Sequence, residues 1–346
     1  MSKTVYVYDP TTVDKQSQVR GVGRYLQILK ENFPEFRFTN DLSSIIHYPS
    51  SIFVNPFFNF LSPPPTTKRV TQKQAAVIHD LIPLKYPNYF PMGLKGKFNV
   101  WLNKLALKNY ETIITVSETV KKDIVRMLGV NENKVRVVYH CLPRVFVNSQ
   151  PATCLPADRL RITNYCMYVG DATWNKNLVN LAKAIKIINA TCVFVGRVFQ
   201  QFNYSTIQQL NNPWQKELKQ FFQEVNGDKR FVFAGYVSDS DLIKLYQQAV
   251  VNILPSRDEG FGFSWLEAAS QRCPTVVNSI PVFHEIAADS AVFCDSNNIH
   301  DLANAIGELY FNRNTRNNWS GKAYERSRFF SAERFKKDCL RALEAF

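Results

Sequence analysis

The sequence has no Cys-X-X-Cys pair, no low-complexity tract and too little acid, with 29 Asp and Glu set against 42 Lys and Arg. Each absence excludes something. Seven cysteines are scattered at positions 141, 154, 166, 192, 273, 294 and 339, a spacing that suits neither a disulfide framework nor a zinc site. Cys166 and Cys192 lie in strand-like apolar runs, so the thiols read as small hydrophobes of a reducing compartment. Residues 51–61 form an apolar run, but it is short and broken by Asn55, Pro56 and Asn59; a membrane-spanning helix needs about 20 residues. The start of the chain passes straight into the alternating Thr4-Val5-Tyr6-Val7-Tyr8 without the apolar core of a signal peptide, and a cytoplasmic protein is expected. No RNP, KH, zinc-finger or basic-zipper pattern occurs. The formal charge of +13 therefore points away from nucleic acid and towards other anions, a nucleoside diphosphate or an anionic membrane surface.

What is present is a long alternation of strands and helices. With 346 residues, two domains are the natural expectation. In the first half, strands are expected at 4–8, 75–79, 112–116 and 135–139. Helices are expected at 25–32, 95–110 and over Glu118–Leu128, with Ser117 as the N-cap of the last. Residues 148–160, with two prolines and no periodicity, read as a linker. The second half opens with the strand Tyr165–Val169. There follow helix Leu178–Ile188, strand Thr191–Val195, strand 231–234, helix 241–248, strand 250–254, helix 264–271, strand Thr275–Asn278 and a short strand near Val292. Such alternation implies two parallel sheets covered by helices, with ligands at the carboxyl ends of the strands. The expected domains are 1–150 and 151–330, with 331–346 as a final helix.

One stretch carries most of the chemistry. Ser256-Arg257-Asp258-Glu259-Gly260-Phe261-Gly262-Phe263-Ser264 joins a buried strand to a helix and is followed by Trp265-Leu266-Glu267-Ala268-Ala269. A glycine turn at a helix start offers free backbone N–H groups and the positive end of the helix dipole to a phosphate. Glu259 lies on that turn. Glu267 lies one turn into the helix, where a carboxylate can accept two vicinal ribose hydroxyls. The pattern suggests a nucleotide-sugar site.

Glu-Gly-Phe-Gly, then Leu266-Glu267-Ala268, Cys273-Pro274-Thr275-Val276-Val277 and Glu285, resembles the C-terminal signature of glycosyltransferase family 4. That resemblance implies the GT-B fold, two Rossmann-like domains facing each other across a cleft, and transfer with retention at the sugar carbon. It implies that 1–150 binds the acceptor, that 151–330 binds the nucleotide-sugar donor, and that the helix at 331–346 crosses back to the first domain. It implies that Glu259 meets the donor sugar and that Glu267 holds the ribose, with Gly260, Phe261, Gly262, Phe263 and Ser264 around them. Phe263-Ser264 replaces the more usual Leu-Pro.

Other segments extend the resemblance through most of the chain. Arg20-Gly21-Val22-Gly23-Arg24-Tyr25 lacks the third glycine of a dinucleotide fingerprint, since Leu26 stands there. It reads locally as a helix-opening turn, and it resembles the family's N-domain loop near the diphosphate. Val77-Ile78-His79-Asp80-Leu81 places His79 and Asp80 beyond a strand and resembles the family's His-Asp-Leu motif facing the transferred sugar or acceptor. Gly170-Asp171-Ala172-Thr173-Trp174-Asn175-Lys176-Asn177 resembles the family's Arg-Lys-Asn loop, and that resemblance implies that Lys176 is the diphosphate cation. Asn175 takes the arginine's place there, and Arg197 is the substitute candidate. Asp239-Ser240-Asp241 imitates a metal-binding Asp-X-Asp but reads as a helix cap; no metal and no other cofactor is expected. Tyr86 and Tyr89, followed by Lys95, Lys97, Phe98, Trp101, Lys104 and Lys108, read as a solvated helix face with its aromatics in the core. The alternative is docking on an anionic bilayer, at the inner membrane face, or on a polyprenyl-linked acceptor.

The expected activity is thus transfer of a hexose, with mannose from GDP-mannose as the first guess, to a hydroxyl of a glycan or lipid-linked acceptor. Two rivals stay open. A nucleotide-sugar 2-epimerase shares the architecture, and a non-catalytic sugar-nucleotide or glycan binder would need the same recognition residues.

Overall fold

A computed structural model describes residues 4–12, 21–46, 48, 50–150, 162–200, 210 and 215–344. Arg20, Cys154 and most of the expected linker lie outside the described residues. The chain divides into two compact units, 1–143 with 330–346, and 144–329.

The first unit holds a six-stranded sheet of β1 (Val5–Tyr8), β2 (Arg37–Thr39), β3 (Ile52–Asn55), β4 (Lys73–Ile78), β5 (Thr112–Thr115) and β6 (Val135–Val137). Every pairing is parallel, in the order β2-β1-β3-β4-β5-β6. Strands covered on both faces become continuous apolar runs, and Ala75, Ala76, Val77 and Ile78 of β4 are all fully buried. The chain leaves β1 in one direction and returns at β3 on its other side. The order therefore switches between β1 and β3, the geometry that opens a crevice at the strands' carboxyl ends.

The helix expected at 25–32 begins earlier, at Gly21–Asn32. Gly21 and Gly23 lie inside its first turn, not in a turn before it. Glycine costs about 1 kcal/mol of helix propensity, but Tyr25, Leu26, Ile28 and Leu29 bury the face that pins the helix down. The last helix, Ala332–Glu344, buries Phe335, Cys339, Ala342 and Leu343 at helical spacing. Its Phe335 ring meets Tyr25 edge-on at 6.2 Å, which explains why this segment belongs to the first unit.

The second unit holds β7 (Tyr165–Val169), β8 (Thr191–Val195), β9 (Phe231–Gly235), β10 (Val251–Leu254), β11 (Thr275–Asn278) and β12 (Val292–Cys294). These too are all parallel, in the order β12-β11-β10-β7-β8-β9. Counted from β7, that is the doubly wound order 3-2-1-4-5-6, with its switch point between β7 and β10. Its core is rich in aromatics: Phe194 packs against Phe199, Phe221 and Phe233 with ring centroids 5.1–5.6 Å apart. The short helix Arg144–Val147 joins this unit because the Gln271 side chain donates to the Phe146 carbonyl at 2.9 Å. No helix among the described residues is long and apolar enough to cross a membrane.

Candidate functional site

The loops leaving β7 and β10 flank the second unit's switch point, and they carry Lys176 and Glu259. Gly170 ends β7, where its N–H donates to the Val195 carbonyl at 3.0 Å. Gly196 ends β8 so close to it that a Cβ would sit 2.2 Å from the Gly170 oxygen, and only glycine allows that approach. The loop after β7 then makes one short turn, Trp174–Lys176, and enters the helix Leu178–Ile188 through Asn177 in the left-handed region, φ 57°. Asn177 is fully buried and donates to the Ser296 carbonyl at 2.9 Å. Asn175, which stands where an arginine was expected, is buried as well. Its side chain donates to the Asp258 carbonyl at 3.1 Å, and its own carbonyl accepts the Arg257 N–H at 2.7 Å. Instead of supplying a cation, Asn175 ties the two loops together.

That tie brings Lys176 to Glu259. The Lys176 Nζ lies 2.5 Å from Glu259 Oε1, and the Ser256 hydroxyl donates to the same oxygen at 2.8 Å. The lysine side chain is 20% exposed and the glutamate 11%, so solvent screens this ion pair only partly. Arg257, which stands in the same motif as Glu259 but was given no role there, is a second cation against this loop. It stacks over Trp174 at 5.0 Å, donates to the Trp174 carbonyl and pairs with Glu217 at 3.3 Å.

Gly260 and Phe261 follow, both buried. Gly262 has φ +91°, and a Cβ there would meet the Phe283 ring at 2.7 Å. It caps the helix Phe263–Ser270, and its carbonyl accepts the Trp265 N–H at 3.0 Å. Glu267 is 4% exposed on that helix. Tyr246, from the helix Asp239–Gln248, donates to Glu267 Oε2 at 3.2 Å and lies 3.1 Å from the Ser264 hydroxyl. Burial, and then the Glu267 carboxylate, push the Tyr246 phenol well above its ordinary range, which keeps it protonated as a donor. The Ser264 hydroxyl is engaged in this buried network, which reaches Asn252 on β10 at 3.4 Å. Tyr246 was missed at the sequence level because a tyrosine on an amphipathic helix reads only as core.

Arg197 opens a short turn after β8 and is exposed, with no ion pair among the described residues. Asp239 and Asp241 sit in the first turn of a helix capped by Ser238, whose oxygen accepts the Asp241 N–H at 3.2 Å. Among the described residues, no cluster of three His, Cys, Asp or Glu side chains could hold a metal.

The first unit places His79 just past β4. Its Nε2 is 2.9 Å from the Pro56 carbonyl; a carbonyl only accepts, so Nε2 carries the proton and Nδ1 is the ring's acceptor. Tyr25 meets the ring edge-on at 4.8 Å, and His140 stacks on it at 5.5 Å. Burial, opposed by the Pro56 bond, pulls His79 down to about 4. Burial and the neighbouring His79 pull His140 well below its ordinary value. Both rings are therefore neutral near pH 7. Asp80 is exposed, and its carboxylate accepts the Ile82 N–H at 3.0 Å, a local cap for the turn that follows. Gly21 and Gly23 belong to this unit.

Comparison with known proteins decides the family. Residues 5–143 match Glycosyltransferase Family 4, and residues 162–326 match Glycosyl transferases group 1. The chain belongs to the group 1, family 4 glycosyltransferases. The O-antigen chain mannosyltransferase RfbU of Salmonella typhimurium is 26% identical over 242 residues, 69% of this chain and 61% of that protein. The serotype-specific mannosyltransferase WbdA of Escherichia coli is 27% identical over 248 residues, 66% of this chain and 29% of that protein. The chain thus spans less than two thirds of the length of these curated relatives. Among solved structures, Anabaena HepE in complex with UDP and glucose superposes with TM-score 0.76 at 12% identity, covering 100% of both chains. WaaG, a glycosyltransferase involved in lipopolysaccharide biosynthesis, superposes with TM-score 0.68 at 10% identity, covering 97% of this chain and 98% of that one. The fold is GT-B, as in these structural neighbours.

Proposed function

We propose that the protein is a retaining hexosyltransferase that takes a sugar from a nucleoside diphosphate and passes it to a hydroxyl of a glycan or lipid-linked acceptor. The observation that carries this reading is the Lys176–Glu259 ion pair at the switch point, completed by the Ser256 hydroxyl. A cation and a carboxylate at the carboxyl ends of β7 and β10 suit the two ends of a sugar diphosphate. Lys176 neutralises the charge that grows on the departing phosphate, together with the positive end of the dipole of the helix Phe263–Ser270. Glu259 accepts hydroxyls of the sugar, and Glu267, held by Tyr246, accepts those of the ribose. The acceptor belongs to the first unit, where neutral His79 offers a ring nitrogen as acceptor. The departing phosphate takes the proton of the attacking hydroxyl on the same face of the sugar, which preserves the anomeric configuration. No metal enters this scheme. GDP-mannose is the first donor to try, since relatives such as RfbU and WbdA are named as mannosyltransferases.

The test is incubation with GDP-, UDP- and ADP-sugars and a hydroxyl acceptor, with and without EDTA, and NMR assignment of the new anomeric centre. Transfer with retention that survives EDTA is expected. Release of an epimerised donor without transfer would move the protein to the 2-epimerases, and an absence of any turnover would make it a binder.

A further inference from the structure

The helix Gly93–Leu107 is built inside out for a water-facing element. Its inward side carries asparagines: Asn99 donates to the Leu61 carbonyl at 2.8 Å, and Asn103 to the Ser62 carbonyl at 2.7 Å and the Asn99 carbonyl at 2.9 Å. Its outward side carries Leu94, Phe98, Trp101 and Leu105, which are 86, 57, 54 and 36% exposed. The expectation that these aromatics sit in the core is therefore reversed. The spacing of four, three and four residues keeps them within about 60° of arc at 100° per residue, one continuous stripe. Phe98 and Trp101 stack on each other at 5.7 Å, so the stripe is a preformed apolar ridge. Tyr89, 46% exposed, precedes it in the chain.

The charge around the ridge is of one sign. Exposed Lys97, Lys104 and Lys108 project along one side of the stripe and exposed Lys95 along the other. From Leu81 to Tyr110 the sequence contains no Asp or Glu at all. A central band of Leu, Phe and Trp between flanking lysines is the composition of a helix lying in a bilayer interface, where apolar side chains enter the acyl boundary and ammonium groups meet headgroup phosphates. A second copy of this chain fits the stripe badly, because a symmetric contact would set these lysines against themselves.

We propose that Gly93–Leu107 docks the protein on anionic lipid, with Leu94, Phe98, Trp101 and Leu105 inserted and Lys95, Lys97, Lys104 and Lys108 on the headgroups. This is independent of the donor and acceptor chemistry proposed above.

The experiment is vesicle flotation of the full chain with phosphatidylcholine alone and with phosphatidylcholine containing phosphatidylglycerol. It is run at low salt and at about 1 M salt, where the screening length falls to about 3 Å. The wild type should float with the anionic vesicles only, and lose most of that binding at high salt. Replacing the four lysines by Gln should weaken partitioning by about 100-fold or more. Phe98→Ser with Trp101→Ser should also abolish flotation while leaving the circular dichroism unchanged, since both side chains are exposed. A wild type that stays unbound at low salt overturns the proposal. So does a ridge variant that floats as well as the wild type, or self-association that the ridge variant removes.

Discussion

Lys176 and Glu259 stand 83 positions apart in the chain and meet at 2.5 Å. In the donor reading, a cation meant for the diphosphate and a carboxylate meant for the sugar neutralise each other. Donor binding must then exchange that ion pair for two contacts to the substrate. Lys176→Ala should lower turnover by about 100-fold, the scale of removing one charge-stabilising donor. Because it also leaves a largely buried carboxylate without its cation, a stability loss of about 1–3 kcal/mol should appear in denaturant titration.

Glu259→Gln separates the two partners. It frees Lys176 from its carboxylate, so affinity for a nucleoside diphosphate lacking the sugar should equal or exceed that of the wild type. Turnover with the intact donor should fall. Parallel loss of both quantities would place Glu259 on the nucleotide instead of the sugar.

At Gly262 the backbone itself demands glycine, with φ +91° and the Phe283 ring 2.7 Å from where a Cβ would stand. Gly262→Ala should cost about 1–3 kcal/mol. That corresponds to a fall in melting temperature of about 2–4 °C per kcal/mol for a unit of this size. An unchanged melting temperature would show that the turn relaxes at no cost.

The histidine pair predicts acid sensitivity of the first unit. In the folded state His79 is held down to about 4, from an unfolded value near 6.5. Between those values the unfolded chain binds more protons, so stability is fully present above about pH 6.5 and is lost as pH falls towards 4. Each such group contributes a slope of at most about 1.4 kcal/mol per pH unit. His140→Phe, which fills a position only 2% exposed, should flatten the fall in melting temperature between pH 7 and pH 4.5. An identical fall in both proteins would assign the acid sensitivity to carboxylates elsewhere.

β3, buried throughout, was missed because the run 51–61 was weighed only as a membrane span. Most other strands were legible because parallel strands covered on both faces are continuous apolar words; β7, β8 and β11 coincide with their expected bounds. The edge strand β2 was not, since Arg37–Thr39 is three half-buried or exposed residues without alternation. Nor was the helix Arg313–Ser327, which buries only Ala323 and Ser327 and so carries no apolar period. The helix Ile299–Phe311 had a signal that went unread, with Leu302, Ala305, Ile306 and Leu309 buried at helical spacing. Lys176, Glu259 and Glu267 were each visible in motifs. The roles of Ser256, Asn175 and Tyr246 were not, although Ser256 and Asn175 stand inside those motifs, because a hydrogen-bond partner within a loop, between two loops or between two helices leaves no periodic trace. Exposure was the least legible property: the same Lys and aromatic pattern near residues 95–108 fits a core face or a ridge, and only the asparagines' inward bonds decide it.

Binding of a nucleoside diphosphate sugar to the second unit through Glu267 is most directly tested by titration calorimetry of GDP, UDP and ADP, and their sugars, into the wild type, Glu267→Ala and Tyr246→Phe. The wild type should bind one nucleotide series. Glu267→Ala should lose about 1–3 kcal/mol of that affinity, and Tyr246→Phe about 0.5–1.5 kcal/mol through a carboxylate no longer held in place. Wild-type protein that binds none of them, or Glu267→Ala that binds with unchanged affinity, would contradict it.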